Sequence, residues 1–362
     1  MLRYPLLILA SMLHQDLHIG YFDIYYFCRI CHFLIIKTNR FIFLIETYLT
    51  ELYTMEDLVI LIVEERINTI AKLLSELGFD GIIEFDKRDP GYKMLKLIAR
   101  MREIEGVYAI ALCAGINDFQ LLKGGAEEYW HTLYLTYREF RSEKGVIGRD
   151  ATKLFELFFL FLKKAINARL HSIKLKRTKA LCKSSLMKDL LSNLNKYKQN
   201  PLVLWKTLAK VLRTGTSKKT IVVSMKLFDI ANLVVEGKYL DFPKNIPIRV
   251  DIHTIDVSIS SGIVSKYTSS SDIIKAWLNV LDIVNLEIYP KVNLLRIDSI
   301  VWQIGKIIYQ ARFDKTLSEQ LLVKYFVEEI DIEREIAERM AKEFTYNVDE
   351  VMTIEKRFPS ID

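Results

Sequence analysis

The spacing of apolar residues is the feature that most constrains how this chain folds. From Leu58 onward they recur every three or four positions, as on one face of an α-helix, and no run of alternating residues suggests a strand. Only 14 glycines and 7 prolines interrupt 362 residues. Apolar residues make up 51 % and charged residues 27 %, a globular composition. We therefore predict an all-α fold, built as two helical lobes with a cleft between them.

The helical pattern divides the chain into segments whose ends are marked by glycine, proline or polar clusters. Pro201 follows Asn200 and suits the first turn of a new helix. The helices are predicted at residues 58–77, 94–122, 127–140, 151–194, 202–212, 220–235, 270–286 and 293–311, with an acidic helix pair within 317–344 and a loop at 142–150.

The first 54 residues differ from the rest because aromatic and aliphatic residues crowd them without a clean period. Their longest uncharged run, residues 4–15, is shorter than the roughly twenty residues that span a bilayer. We interpret residues 1–54 as a non-native upstream extension, with Met55 as the natural start and residues 55–362 as one helical domain. A membrane anchor is the alternative for this segment.

Four cysteines are too few for a disulfide framework in a chain of this length: Cys28, Cys31, Cys113 and Cys182. They indicate a reducing, cytoplasmic setting. Cys28 and Cys31 have the spacing of half a metal site, but no second pair follows, so we predict no metal.

Basic residues are concentrated in one block. Residues 161–220 contain sixteen of the 51 lysines and arginines but only one of the 45 acidic residues, Asp189. Such a block in an otherwise acidic chain is typical of proteins that bind a phosphate backbone. A solvated, lysine-rich helix pair explains the charge equally well.

A helical hairpin follows the basic block. The predicted helices at 202–212 and 220–235 are joined by a short polar segment that contains Gly215. The N-terminus of a second helix can bind a phosphate through its free N–H groups. We therefore predict a helix-hairpin-helix element at about 202–255, in which Arg213, Gly215 and Lys218 contact the DNA backbone.

Lys219 and Asp251 are the candidate catalytic residues. Lys219 stands at the start of the second hairpin helix, where the helix dipole and Lys218 disfavour a positive charge on it. Asp251 follows the extended segment 247–250 and can cap a following helix, which would hold its carboxylate in place. That carboxylate could take the proton of the lysine or stabilise a sugar cation.

Four segments carry a resemblance to a known family. Residues 117–130 (NDFQLLKGGAEEYW), 218–226 (KKTIVVSMK), 247–251 (PIRVD) and 298–302 (DSIVW) occur in the order and at spacings compatible with the archaeal 8-oxoguanine (GO) DNA glycosylase/AP lyases. That family is a divergent branch of the helix-hairpin-helix glycosylase superfamily. Arg249 departs from the family, whose segment often has a second proline at that position.

The resemblance implies a role for each matching residue. Lys219 would attack C1′ of the nucleotide and form a Schiff base, assisted by Asp251. Gln120, Asp298 and Trp302 would bind the extruded base, through its edge and its face. Lys226 lies seven residues after Lys219 on the same helix face and can point toward the same cavity. A second aromatic is expected from among three neighbouring residues of one helix, which are Phe155, Phe158 and Phe159.

The resemblance therefore predicts base excision repair of 8-oxoguanine in double-stranded DNA, with single-stranded DNA as a further substrate. We expect a monomer near the nucleoid that needs no cofactor, because the lysine supplies the chemistry. Three alternatives stay open: a glycosylase for another damaged base, a non-catalytic helical DNA-binding protein and, from the N-terminal segment alone, a membrane-tethered protein.

Overall fold

The computed structural model describes residues 62–122, 124–265 and 269–351. Regular structure in these residues is helical, apart from one isolated bridge between Ile62 and Val264. The predicted all-α fold is confirmed. The interpretation of residues 1–54 as an extension lies outside the described residues. None of the described helices combines the length and apolar character that a membrane crossing requires.

The described residues form sixteen α-helices. The first eight are α1 (Glu64–Glu76), α2 (Gly78–Arg88), α3 (Pro90–Arg100), α4 (Gly106–Gly115), α5 (Gly125–Lys144), α6 (Ala151–Leu162), α7 (His171–Cys182) and α8 (Ser185–Ser192). The others are α9 (Leu194–Gln199), α10 (Pro201–Val211), α11 (Lys219–Glu236), α12 (Ile252–Ser260), α13 (Ser270–Glu287), α14 (Leu294–Gln310), α15 (Lys315–Tyr325) and α16 (Arg334–Phe344). A short 3-10 helix occupies Ala165–Asn167, and a π-helical turn occupies Phe326–Ile330.

The helix predicted at 94–122 is wrong in its extent, because the chain turns between α3 and α4. Arg102 adopts a left-handed conformation (φ 63°). The next residue, Glu103, is buried and accepts hydrogen bonds from the backbone N–H groups of Ile147 (2.6 Å) and Gly148 (2.8 Å). The buried carboxylate thus ties the turn to a distant loop, an interaction that helical periodicity does not register.

The helix predicted at 151–194 is three helices, α6, α7 and α8. Leu170, immediately before α7, has a left-handed backbone (φ 53°). Ser184 caps α8 by accepting a hydrogen bond from the N–H of Met187 at 3.2 Å. Local backbone turns and a serine cap therefore divide a run whose apolar spacing is nearly continuous.

Two buried apolar cores lie within the described residues. The first core draws on α3 to α11, and the second on α1, α2 and α12 to α16. Within the first core, α11 crosses α4 very closely. A Cβ atom added at Gly115 would lie 2.4 Å from Cα of Ser224, so glycine is required for this approach.

A buried ionic network joins α14 to helices from both cores. Arg296 on α14 pairs with Asp86 on α2 and lies 3.1 Å from the carboxylate of Asp229 on α11. The Tyr239 hydroxyl donates to Asp86, and its ring lies 4.2 Å from the Arg296 guanidinium carbon. These contacts fix α11 and α14 relative to each other, and both helices carry residues of the candidate site.

The network predicts a specific pH dependence of stability. Burial raises the pKa of Asp229 to about 7, although the charge of Arg296 opposes this effect. Between about pH 4 and 7 the folded protein therefore keeps a proton that the unfolded chain has released, and this contribution to stability is lost as the pH rises. Relative to Asp229→Asn, the wild type should lose about 2–3 kcal/mol of unfolding free energy between pH 5 and 8. Urea unfolding of both proteins at pH 5 and pH 8 measures this loss. A difference in unfolding free energy between the two proteins that is the same at both pH values would contradict the prediction.

Candidate active site

The predicted hairpin is confirmed as α10 and α11, joined by residues 212–218. Trp205 on α10 donates from its indole N–H to the backbone oxygen of Thr216 (2.9 Å), which holds the connection. The left-handed residue is Arg213 (φ 52°) rather than Gly215. Arg213, Gly215 and Lys218 are all exposed.

The N-terminus of α11 has no side-chain cap. Lys218 occupies the N-cap position and its side chain makes no capping hydrogen bond. The first N–H groups of the helix therefore face an exposed, basic turn. This arrangement suits an anion such as a phosphate.

The structure brings Lys219 and Asp251 together. The Lys219 ammonium nitrogen lies 3.0 Å from Oδ2 of Asp251. The Lys219 side chain is 40 % exposed, whereas the Asp251 side chain is 9 % exposed. An accessible amine thus stands against a buried carboxylate, 32 residues away in the sequence.

Asp251 is held in place by the helix that it caps. Its Oδ1 accepts from the N–H of Thr254 (3.3 Å), and the Thr254 hydroxyl donates to the backbone oxygen of Arg249 (2.6 Å). Burial by itself would raise the pKa of Asp251, but the positive charges of Arg249 and Lys219 outweigh it and hold the pKa well below its usual range. Asp251 is therefore a fixed carboxylate at neutral pH.

Lys226 occupies a different environment from Lys219. It is buried, and its ammonium nitrogen lies 2.8 Å from Asp298 and 3.2 Å from Asp89. Burial alone would lower the pKa of Lys226, but these two carboxylates raise it above its usual value. Lys226 is thus held as a cation, so Lys219 is the better candidate for a reactive amine.

Arg249 connects the two lysine sites. Its Nε lies 3.2 Å from Asp251 and 3.5 Å from Asp298, and its backbone N–H donates to Asp298 (3.2 Å). The guanidinium carbon lies 5.6 Å from the ring centre of Trp302. We call the following six residues the charged cluster: Asp89, Lys219, Lys226, Arg249, Asp251 and Asp298.

A narrow cavity of about 300 Å³, including its open mouth, adjoins the charged cluster. Its walls come from α3, α5, α11 and α14 and from the segments before α3, α5 and α12. The lining residues are Asp89, Pro90, Asp118, Ala126, Trp130, Val223, Lys226, Leu227, Arg249 and Trp302. Two indoles and several charged groups therefore share one small space, as in many ligand sites. Because the cavity is narrow, side chains at its mouth must move to admit a purine.

The predicted base-binding residues are only partly assembled here. Lys226 and Trp302 line the cavity, while Asp298 lies behind Lys226 and is 1 % exposed. Gln120 is exposed, has a left-handed backbone (φ 48°) and is not among the lining residues, so the structure does not bring it to the cavity.

The three phenylalanines considered for the second aromatic wall also lie elsewhere. Phe158 is buried in the first core, Phe155 packs against that core, and Phe159 is partly exposed; none of them lines the cavity. Trp130 on α5 provides the second indole instead. Its place in the motif at 117–130 was the available signal, but no feature of that motif favoured it over the phenylalanines.

Asp89 and Asp118 are further cavity residues that sequence reasoning missed. Asp89 caps α3 by accepting from the N–H of Gly91 (2.7 Å) and also contacts Lys226. Asp118 lies in the segment between α4 and α5, two residues before Gln120. The described residues include no group of three or more His, Cys, Asp or Glu side chains arranged to hold a metal ion.

Comparisons with known proteins found a matching family model and similar proteins. The family model AGOG, described as N-glycosylase/DNA lyase, matches residues 71–339. An N-glycosylase/DNA lyase from Methanococcus maripaludis is 25 % identical over 252 residues, which cover 66 % of this chain and 88 % of the relative. A protein of the same name from Thermococcus kodakarensis is 26 % identical over 194 residues, which cover 52 % of this chain and 70 % of the relative.

Among solved structures, the chain is similar to an 8-oxoguanine DNA glycosylase from Pyrobaculum aerophilum in complex with 8-oxoguanosine. The TM-score is 0.53 at 16 % sequence identity, and the match covers 68 % of this chain and 90 % of that chain. At this identity the likeness shows a shared helical fold.

The two lysines should differ in their effect on stability. Lys226→Met would leave Asp89 and Asp298 buried without their shared cation, which should cost about 3–5 kcal/mol of unfolding free energy. Lys219→Gln removes a partly exposed group while Arg249 still pairs with Asp251, so the loss should stay below about 1 kcal/mol. Urea unfolding of both variants measures the losses, and equal losses would contradict the assignment of Lys226 as the structural cation.

Proposed function

Because the chain belongs to the AGOG family of N-glycosylase/DNA lyases, we propose that it removes 8-oxoguanine from DNA, with Lys219 as the nucleophile. The observation that carries this proposal is the contact between Lys219 and Asp251 beside a cavity lined by Trp130 and Trp302. A base must leave the duplex before such a cavity can hold it.

In the proposed reaction, Lys219 reacts as the free amine. Its nitrogen forms a bond to C1′ while the bond from C1′ to the base breaks, and the base leaves with that electron pair and takes up the proton that the substituted amine loses. The C1′–O4′ bond then breaks, the remaining N–H proton passes to O4′, and the opened sugar holds an imine. Asp251, 3.0 Å away, is placed to accept the proton that the ammonium must lose. Lys219 is partly exposed, so its nitrogen can reach a sugar at the mouth of the cavity.

Asp251 also has an electrostatic role in this proposal. Positive charge develops on the sugar as the base departs, and a fixed carboxylate stabilises that charge most where water is excluded. The neighbouring positive charge of Arg249 keeps Asp251 ionised. The carboxylate is therefore in its active form across the neutral pH range.

The lyase step follows from the same covalent intermediate. An imine at C1′ makes the protons on C2′ acidic, and loss of one of them expels the 3′ phosphate by β-elimination. The strand is then cut without a metal or another cofactor, because the imine formed from the lysine accepts the electrons released at C2′.

We assign the base pocket to the cavity rather than to Gln120. The partly exposed indole of Trp302 offers a face for stacking, and Trp130 provides a second aromatic wall. Asp298 acts through Lys226, whose ammonium it holds in the cavity wall. Gln120 is exposed, two residues after the cavity residue Asp118, so we assign it to a contact with the surrounding DNA rather than with the base.

The hairpin is the proposed contact with the DNA backbone. Its uncapped α11 N-terminus and the exposed Arg213 and Lys218 bind phosphate without reading sequence. Lys219 is the first residue of the same helix, so a phosphate bound there places the adjacent sugar near the nucleophile. We propose a monomer acting on double-stranded DNA across the junction of the two cores.

Borohydride trapping tests this function. With an 8-oxoguanine duplex and sodium borohydride, the imine should be reduced to a covalent protein–DNA adduct. Lys219→Gln should lose this adduct, whereas Lys324→Gln, at an exposed lysine of α15 outside the site, should keep it. Denaturing gel electrophoresis measures the adduct.

Duplexes with other lesions serve as the comparison. An adduct on oxidised pyrimidines or alkylated purines but not on 8-oxoguanine would contradict the substrate. An equal adduct from Lys219→Gln would contradict the nucleophile, and the absence of any adduct would point to a non-catalytic DNA-binding protein.

A further inference from the structure

Two of the charged residues that line the cavity, Asp118 and Arg249, have no role assigned above in binding the base. Asp118 lies in the segment between α4 and α5, and no described residue donates a hydrogen bond to its carboxylate. Arg249 is 7 % exposed, and its Nη2 atom is buried without a hydrogen-bond partner among the described residues. A buried donor without a partner beside a partly exposed carboxylate is an arrangement that a polar ligand can complete.

The other carboxylates near the cavity are already engaged. Asp298 contacts Lys226 through Oδ2 and the backbone N–H of Arg249 through Oδ1. Asp89 caps α3 with one oxygen and pairs with Lys226 through the other. Asp118 is therefore the carboxylate in the cavity wall whose oxygens can accept hydrogen bonds from a ligand.

We propose that Asp118 accepts a hydrogen bond from N7–H of the extruded 8-oxoguanine, while Arg249 and Lys226 donate to the flanking carbonyl oxygens. This inference rests on the proposed function and names the residues that would separate the lesion from normal guanine. It also gives Arg249 a role in this chain at a position where the family often has proline.

The chemistry of the base matches this set of side chains. Along one edge, 8-oxoguanine offers the O6 acceptor, the N7–H donor and the O8 acceptor. The cavity offers a carboxylate together with two cationic donors. Guanine has an acceptor at N7 and no oxygen at C8, so an ionised Asp118 would face a lone pair. A buried mismatch of this kind discriminates more strongly than shape does.

The charged and titratable groups that interact with Asp118 come from several elements. They are Lys219 and Lys226 on α11, Arg249 before α12, Asp89 before α3, Lys174 on α7 and Tyr129 on α5. Burial raises the pKa of Asp118, and the effect of Asp89 adds to it, while Arg249, Lys219 and Lys226 oppose it. On acidification, a protonated Asp118 can donate to N7 of guanine, so discrimination should fall as the pH is lowered.

Nucleoside binding tests the proposal without any catalytic step. Trp130 and Trp302 line the cavity, so tryptophan fluorescence of the intact protein can follow the binding of 8-oxoguanosine and guanosine at pH 8. The wild type should prefer 8-oxoguanosine. In Asp118→Asn the new amide can donate to N7 of guanine, so the preference should fall about tenfold or more.

Controls separate this role from a general loss of structure. Asp282→Asn removes a carboxylate that is half exposed on α13 and should keep the wild-type preference. The wild-type preference should fall when the pH is lowered, whereas that of Asp118→Asn should stay flat. This pH profile tests the proposal in the unaltered protein even if the variant fails to fold.

The outcomes distinguish this inference from the function on which it rests. A wild type that gives the borohydride adduct while Asp118→Asn keeps its preference within twofold would overturn only the role of Asp118. A pH-independent preference in the wild type would overturn it as well. A wild type that binds neither nucleoside and forms no adduct would overturn the proposed function, and the inference with it.

Discussion

Alternating buried charges are the interaction on which the site depends. Negative and positive groups alternate along a series of contacts, in the order Asp89, Lys226, Asp298, Arg249, Asp251 and Lys219, and the first five side chains are at most 11 % exposed. Each buried ion is costly unless an opposite charge lies against it, so removing an inner member exposes its neighbours to that cost. The last member, Lys219, is 40 % exposed, so a substrate can approach it from solvent.

The helix α11 connects these charged residues to the rest of the fold. It carries Lys219, Lys226 and Asp229, and its middle is buried on all sides. Its close approach to α4 at Gly115 and the ion pair of Asp229 with Arg296 hold it in two directions. Lys219 is thus placed by the packing of a central helix and not by the hairpin turn alone.

The contact between Lys219 and Asp251 was expected from their positions at a helix start and after an extended segment, and from the motif order of the resemblance. Periodicity predicted most of the helices and the hairpin, because these features depend on local spacing. It missed the turn at Arg102, since the buried carboxylate of Glu103 meets residues more than forty positions away. The resemblance implied Gln120, and Asp118 was missed. These residues share one short segment, and which of them faces the cavity depends on a left-handed backbone that the sequence does not reveal.

The central claim is that a fixed carboxylate at position 251 acts on the same sugar carbon as the lysine. Asp251→Asn keeps a good helix cap and nearly the same shape, so it removes the charge with little else. The direct measurement is the single-turnover rate of 8-oxoguanine release by this variant, with DNA affinity measured in parallel. We expect unchanged affinity and a rate reduced about 10²–10⁴-fold. A rate within a few-fold of the wild type would contradict the account.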